Sequence, residues 1–309
     1  MTLLIEAEHL TRFYGKQCAV NDVSFNLAKG EILGFLGPNG AGKTTTMQML
    51  CGNLAPSSGQ IKINGYDILD QPRLAKSSLG YLPDYPPLYK ELTVREFLSY
   101  CARLHGLKAP VSTEAIKRVS GRCGIADVAD RLIVNLSKGY QQRIGIAQAL
   151  LHHPAVVVLD EPTVGLDPIQ IREIRSLIRE LGEDHGVILS THILSEVQES
   201  CTHVQIIHQG RLILHQTIAK LNRQMTRGTL QVVTRRTPDV NALSAIAGVS
   251  SIETLEGNRL LIHHDLHQRP AEPIAELIIA AGWGLQELTP MKQSMEDIFI
   301  MLTKDQPSE

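Results

Sequence analysis

The chain has 309 residues, 43% of them hydrophobic and 20% charged, with a formal net charge of −2. That balance suits one large folded domain plus a smaller one and excludes a disordered chain, and the near-neutral charge argues against bulk electrostatic binding to nucleic acid. No apolar stretch approaches the roughly 20 residues of a bilayer-spanning helix. Cys18, Cys51, Cys101, Cys123 and Cys201 form no CxxC pair, so neither a disulfide framework nor a zinc site is expected. Met1 to Glu8 turn acidic and lack the basic flank and cleavage site of a secretion signal, which makes the cytoplasm the expected compartment.

In chain order, the first telling element is the apolar run Ile32 to Leu36, a strand, followed by Gly37-Pro38-Asn39-Gly40-Ala41-Gly42-Lys43-Thr44 and then by Thr45 to Leu50, a helix with an apolar face. Strand, glycine-rich loop and helix in that order make a triphosphate cradle. The glycines let backbone N–H groups turn toward phosphates, and the helix start adds about half a positive charge. Lys43 is placed to reach the β and γ phosphates and Thr44 to offer its hydroxyl to Mg²⁺, so ATP is the expected ligand.

Leu79 to Asp84 lead into Tyr85-Pro86-Pro87-Leu88-Tyr89, a proline-stiffened segment whose aromatic side chains suit a contact surface, and then into a helical stretch from Val94 to Leu104. Leu136-Ser137-Lys138-Gly139-Tyr140 opens a helix whose apolar side carries Ile144, Ala147, Leu150 and Leu151. Ser137 and Gly139 thus lie at a helix start, where a hydroxyl and bare N–H groups can meet a phosphate; taken alone, the segment reads better as an ordinary serine cap, and its order and spacing relative to the phosphate loop and Asp160-Glu161 reverse that preference. His152-His153 and His263-His264 read as solvated pairs rather than metal ligands.

Val156 to Leu159 show no alternation, which suits a strand buried on both faces, and the run ends in Asp160-Glu161-Pro162. Carboxylates at the carboxyl end of such a strand sit where open α/β sheets bind ligands. Asp160 is placed to hold Mg²⁺ and Glu161 to polarise an attacking water. The arginines between Ile171 and Arg179 read as the solvated face of an amphipathic helix. Beyond residue 229 the pattern changes to β-α-β-β-α-β, with strands near 229–234, 251–254, 259–263 and 284–288, helices near 239–247 and 271–281, a turn at Gly257-Asn258, and a final helix over Ser294 to Thr303.

The phosphate loop, the Leu136-Ser137-Lys138-Gly139 segment, Asp160-Glu161, Gly165-Leu166-Asp167 and Ser190-Thr191-His192 together resemble the motif series of an ATP-binding cassette (ABC) ATPase over about residues 1 to 235. The resemblance implies an α/β phosphate-loop cassette with a mixed sheet and a helical subdomain over residues 1–228, then a small α+β ferredoxin-like domain over 229–309 for regulation or dimerisation. It implies that Tyr14 stacks on adenine beside Val20, that Gly37 to Thr45 form the Walker A loop, and that Asp160 holds Mg²⁺. It further implies that Glu161 is the catalytic glutamate, that His192 contacts the γ phosphate, and that Asp167 lies where two cassettes meet. Two cassettes would pair head to tail, so Ser137 and Gly139 of one would face the ATP of the other.

Two motifs depart from the common pattern. Asp84 stands at the Q-loop position, where it could accept from Mg²⁺-bound water and signal to a partner, and Lys138 and Tyr140 replace the usual signature residues. Both departures are similar to bacterial exporter ATPases of the drug-resistance and gliding-motility type. The function so implied is the ATP-hydrolysing subunit of a transporter, a homodimer held peripherally on the inner face of the membrane by a separate permease, with no nucleic acid partner. A soluble ABC ATPase serving a non-transport partner is the alternative, and the residues alone fit import as well as export.

Overall fold

The computed structural model describes residues 2–225, 228–265, 268 and 270–291. Two compact units emerge, Met1–Ile218 and Ala219–Glu309.

In the first unit, β1 (Leu3–Tyr14) and β2 (Gln17–Ala28) form an antiparallel hairpin. Then come β3 (Ile32–Leu36), α1 (Lys43–Leu50), β4 (Ser58–Ile63), β5 (Tyr66–Asp67), α2 (Pro72–Ser77) and β6 (Leu79–Leu82). A helical stretch follows, with α3 (Val94–Leu104), α4 (Val111–Arg122) and α5 (Lys138–Leu150). Thr93 and Glu96 cap α3 reciprocally, each side chain taking the other's backbone N–H, which fixes where the helix starts. The chain continues through β7 (Val156–Asp160), α6 (Pro168–Asp184), β8 (Gly186–Thr191), α7 (Leu194–Ser200), β9 (His203–His208) and β10 (Arg211–Thr217).

One sheet has the order β2-β1-β4-β5 and the other β10-β9-β3-β8-β7-β6. In the larger sheet β9, β3, β8, β7 and β6 run parallel, with β10 antiparallel at one edge. Every residue of β3, β7 and β8 is buried, as expected for strands covered on both faces. The register sets what meets at the carboxyl edge. Leu36 pairs with Thr191, Asp160 with Ser190, and Leu82 with Leu159. The loops after β3, β6, β7 and β8 therefore leave the sheet side by side, where open α/β sheets bind their ligands.

α8 (Ile218–Met225) precedes the second unit's β11 (Gly228–Thr234), α9 (Val240–Ser244), β12 (Val249–Leu255), β13 (Arg259–His264), α10 (Ala271–Ala280) and β14 (Leu285–Met291). The strands pair antiparallel in the order β12-β13-β11-β14, the ferredoxin-like arrangement. Its core gathers Leu230, Val232, Leu260 and Ile262 under Ile274 and Ile278. Gly257 and Asn258 both take positive φ in the hairpin between β12 and β13. The helix expected over Ser294 to Thr303 lies outside the described residues.

Candidate nucleotide site

Gly37 to Gly42 bridge β3 and α1 at the sheet's carboxyl edge. Gly42 takes φ +107°, and a Cβ on it would stand 2.6 Å from the Ala19 carbonyl oxygen, so the position requires glycine. The loop is closed by the Ala41 N–H donating to Pro38 O (3.2 Å) and by the Thr46 N–H and hydroxyl donating to Gly42 O (2.9 Å each). Lys43 is buried and donates to the carbonyls of Gly37 (2.8 Å) and Pro38 (3.3 Å). Asn39, Gly40 and Thr44 are exposed and Thr45 is half-buried, so N–H groups and a hydroxyl line an open cradle at the start of α1.

Tyr14 ends β1 with its ring half-exposed and the Arg12 guanidinium 5.1 Å from the ring centroid. Val20 is fully buried and packs beside Gly42.

Asp160 is buried at the end of β7, and burial raises its carboxyl above the ordinary value; Glu161 and Asp84 add to the rise, while Ser190 and Lys43 oppose it. Its Oδ1 is buried at the carboxyl edge of the sheet, with the Ser190 hydroxyl on the neighbouring strand. A buried carboxylate oxygen at the end of β7, a strand that packs against α1 where Thr44 is exposed, fits a hard divalent cation such as Mg²⁺. Asp84 follows β6, exposed, and its charge acts on Asp160 and on Tyr81, whose phenol burial already raises.

Glu161 adopts φ +50°, a left-handed conformation unusual for a side-chain-bearing residue. Its N–H donates to Ser190 O at 2.9 Å. Nδ1 of His192 lies 3.0 Å from both carboxylate oxygens of Glu161, and Lys43 Nζ lies 3.7 Å from Oε1. Three residues distant in sequence thus converge.

Ser137 and Gly139 make their contacts elsewhere. Ser137 caps α5, accepting from the Tyr140 N–H at 3.5 Å. Gly139 is covered by Gln170, whose Cδ would be 2.6 Å from an added Cβ, and the Lys138 ammonium rests against Gly165 in the loop after Glu161. Asp167 caps α6, accepting from the N–H groups of Ile169 (3.0 Å) and Gln170 (2.9 Å).

One expectation needs correction and one residue escaped the sequence reading. His152 is not simply solvated: its ring stacks on His105 at 4.0 Å and its Nε2 meets Leu79 O at 3.0 Å. Burial, with His105 as a smaller cause, lowers its pKa to about 4. Glu196 is buried and bonded to Thr163, two residues after Glu161, and to Thr191, one residue before His192. The available signal was a carboxylate on the same side of a short helix as the buried Ser200 and next to Val197.

Parallel strands that deliver a glycine-rich loop, two carboxylates and a histidine to one edge define a phosphate-loop nucleotide-binding protein. The sequence profile of the ABC transporter family matches residues 20–164. The bacitracin transport ATP-binding protein BcrA of Bacillus licheniformis is 34% identical over 304 residues, covering 98% of each chain. The linearmycin resistance ATP-binding protein LnrL of Bacillus subtilis (strain 168) is 31% identical over 305 residues, covering 97% of this chain and 98% of that one. A solved ATP-binding subunit of an ABC transporter superposes with a TM-score of 0.65 at 33% identity, over 72% of this chain and 92% of the other. The chain belongs to the ABC transporter family. It is an ATP-binding and ATP-hydrolysing subunit of a multi-subunit ABC transporter, and subunits of this kind work with membrane permeases and dimerise. Among the described residues no helix is long and apolar enough to cross a membrane.

Proposed function

We propose that this chain powers export of a substrate through a separate permease at the inner face of the membrane, working as a homodimer with two ATP molecules shared across its interface. The observation that carries the hydrolytic half of this reading is the convergence of Lys43, Glu161 and His192. Glu161 takes the proton of an attacking water, His192 orients that carboxylate and meets the γ phosphate, and Lys43 exchanges its loop carbonyls for phosphate oxygens. Asp160 and Thr44 would hold Mg²⁺, which would supply charge neutralisation across the phosphates. Tyr14 and Val20 border the adenine, and Ser137 and Gly139 meet the partner cassette's phosphates.

Export is favoured by full-length likeness to a protein named for bacitracin transport and another for linearmycin resistance. Asp84 passes the state of the site to the permease, and the segment Tyr85 to Tyr89 meets it, with Tyr85 84% exposed. Residues 229–309 act as a distinct domain that supports dimerisation or regulation. The test is Glu161→Gln beside Lys43→Ala: the first is expected to bind ATP, dimerise and stop turning over, the second to lose nucleotide binding or hydrolysis. Normal turnover in both would overturn the reading.

A further inference from the structure

A carboxylate taken out of water costs several kcal/mol unless its oxygens are satisfied. Glu196, on α7, is 1% exposed, and both of its oxygens are taken by threonine hydroxyls. Thr163 donates to Oε1, and Thr191 donates to Oε2 at 2.7 Å. Both threonines are themselves buried. Thr191 is fixed further because its oxygen accepts the Ile193 N–H at 3.1 Å.

The positions of the two threonines give the arrangement its meaning. Thr163 comes two residues after Glu161, at the start of the loop running to Asp167, and Thr191 comes one residue before His192. One carboxylate therefore ties together the two strand ends whose next side chains meet at 3.0 Å. The tie is needed where the backbone is under strain: Glu161 sits at φ +50°, a conformation that persists only when its surroundings over-determine it.

We propose that Glu196 is a positioning residue for ATP hydrolysis, clasping Thr163 and Thr191 so that Glu161 and His192 keep their working separation without Glu196 touching nucleotide. The inference rests on the roles given above to Glu161 and His192. The clasp also joins the loop leading to Asp167 to the histidine's strand, so displacement of that loop moves base and histidine as one unit.

Steady-state ATPase measurements on the full-length chain, with thermal melting and nucleotide binding as controls, test it. Thr163→Val and Thr191→Val keep side-chain shape and remove one hydroxyl. Each is expected to lower kcat on the order of 10- to 100-fold, as small displacements of catalytic groups do. KM for ATP should stay within about twofold, the pattern of an interaction used only in the transition state. Thr163→Ser, which restores the hydroxyl, should recover turnover. Glu196→Ala should match the valine variants, and if it fails to fold the threonine pairs decide. Valine variants that turn over normally, a fall in kcat matched by equal weakening of ATP binding, or a loss that serine does not repair would each overturn the proposal. Normal turnover in Glu161→Gln and His192→Ala would instead remove the reading of the site beneath it.

Discussion

Nδ1 of His192 stands 3.0 Å from both carboxylate oxygens of Glu161, nearer than Lys43 Nζ at 3.7 Å from one of them. In the proposed hydrolysis the histidine, rather than the lysine, therefore orients the base. His192→Ala is expected to cut kcat by roughly 10²-fold while ATP still binds, in line with the loss of a general acid–base arrangement. Single-turnover hydrolysis alongside equilibrium ATP binding separates the two effects.

The cradle makes a steric prediction. Alanine at Gly42 would place a methyl 2.6 Å from a backbone oxygen at a φ that side-chain-bearing residues avoid. Gly42→Ala should destabilise the first unit by about 1–3 kcal/mol, the usual cost of such strain. It should also abolish ATP binding; denaturant unfolding and nucleotide titration report the two losses.

Asp160 makes a prediction about pH. Its carboxyl is raised above the ordinary 3.8 by burial, then by Glu161 and Asp84. The folded chain holds that proton more tightly than the unfolded one, so the group's stabilising contribution is full below pH 3.8 and is lost as pH rises through the raised value. At neutral pH the buried charge therefore works against the fold. Asp160→Asn should melt at a higher temperature than the native chain at pH 7 without nucleotide, the gap closing in acid, while its turnover disappears.

Asp84 supplies part of that rise. Asp84→Gln should move the Asp160 carboxyl back toward its ordinary range and flatten the pH dependence of melting above it. If Asp84 also signals to the permease, the same substitution changes ATPase stimulation in the assembled transporter; unchanged stimulation and transport would refute the signalling role.

His152 predicts the opposite slope. Its pKa is lowered from 6.5 to about 4, so the folded chain resists taking up a proton that the unfolded chain accepts. Stability from this group is present above pH 6.5 and is lost as pH falls toward 4. His152→Phe, which keeps a ring against His105, should lose less stability across that window in melting curves run at stepped pH.

The sequence was most informative where the chemistry is local. The strand, glycine loop and helix around Lys43 carry their own pattern, Asp160 and Glu161 end an unbroken apolar run, and α3 occupies Val94–Leu104, the stretch its periodicity predicts. The ferredoxin-like order of the second unit likewise follows from alternating strands and a turn at Gly257-Asn258. What escaped was tertiary. The stacking of His105 on His152 joins residues far apart in sequence, and the Glu196 clasp joins the ends of two strands through a third element. Neither leaves a periodicity or spacing in the chain, since each depends on which elements pack together.

The left-handed backbone of Glu161 bears on how this protein would evolve in the laboratory. Glycine occupies that conformation without penalty, whereas any other residue pays about 1–3 kcal/mol to stay there. Selecting variants for heat resistance alone would therefore favour glycine at a position whose carboxylate the proposed hydrolysis requires. Libraries screened for thermostability should enrich inactive chains at residue 161 unless activity is scored in the same round.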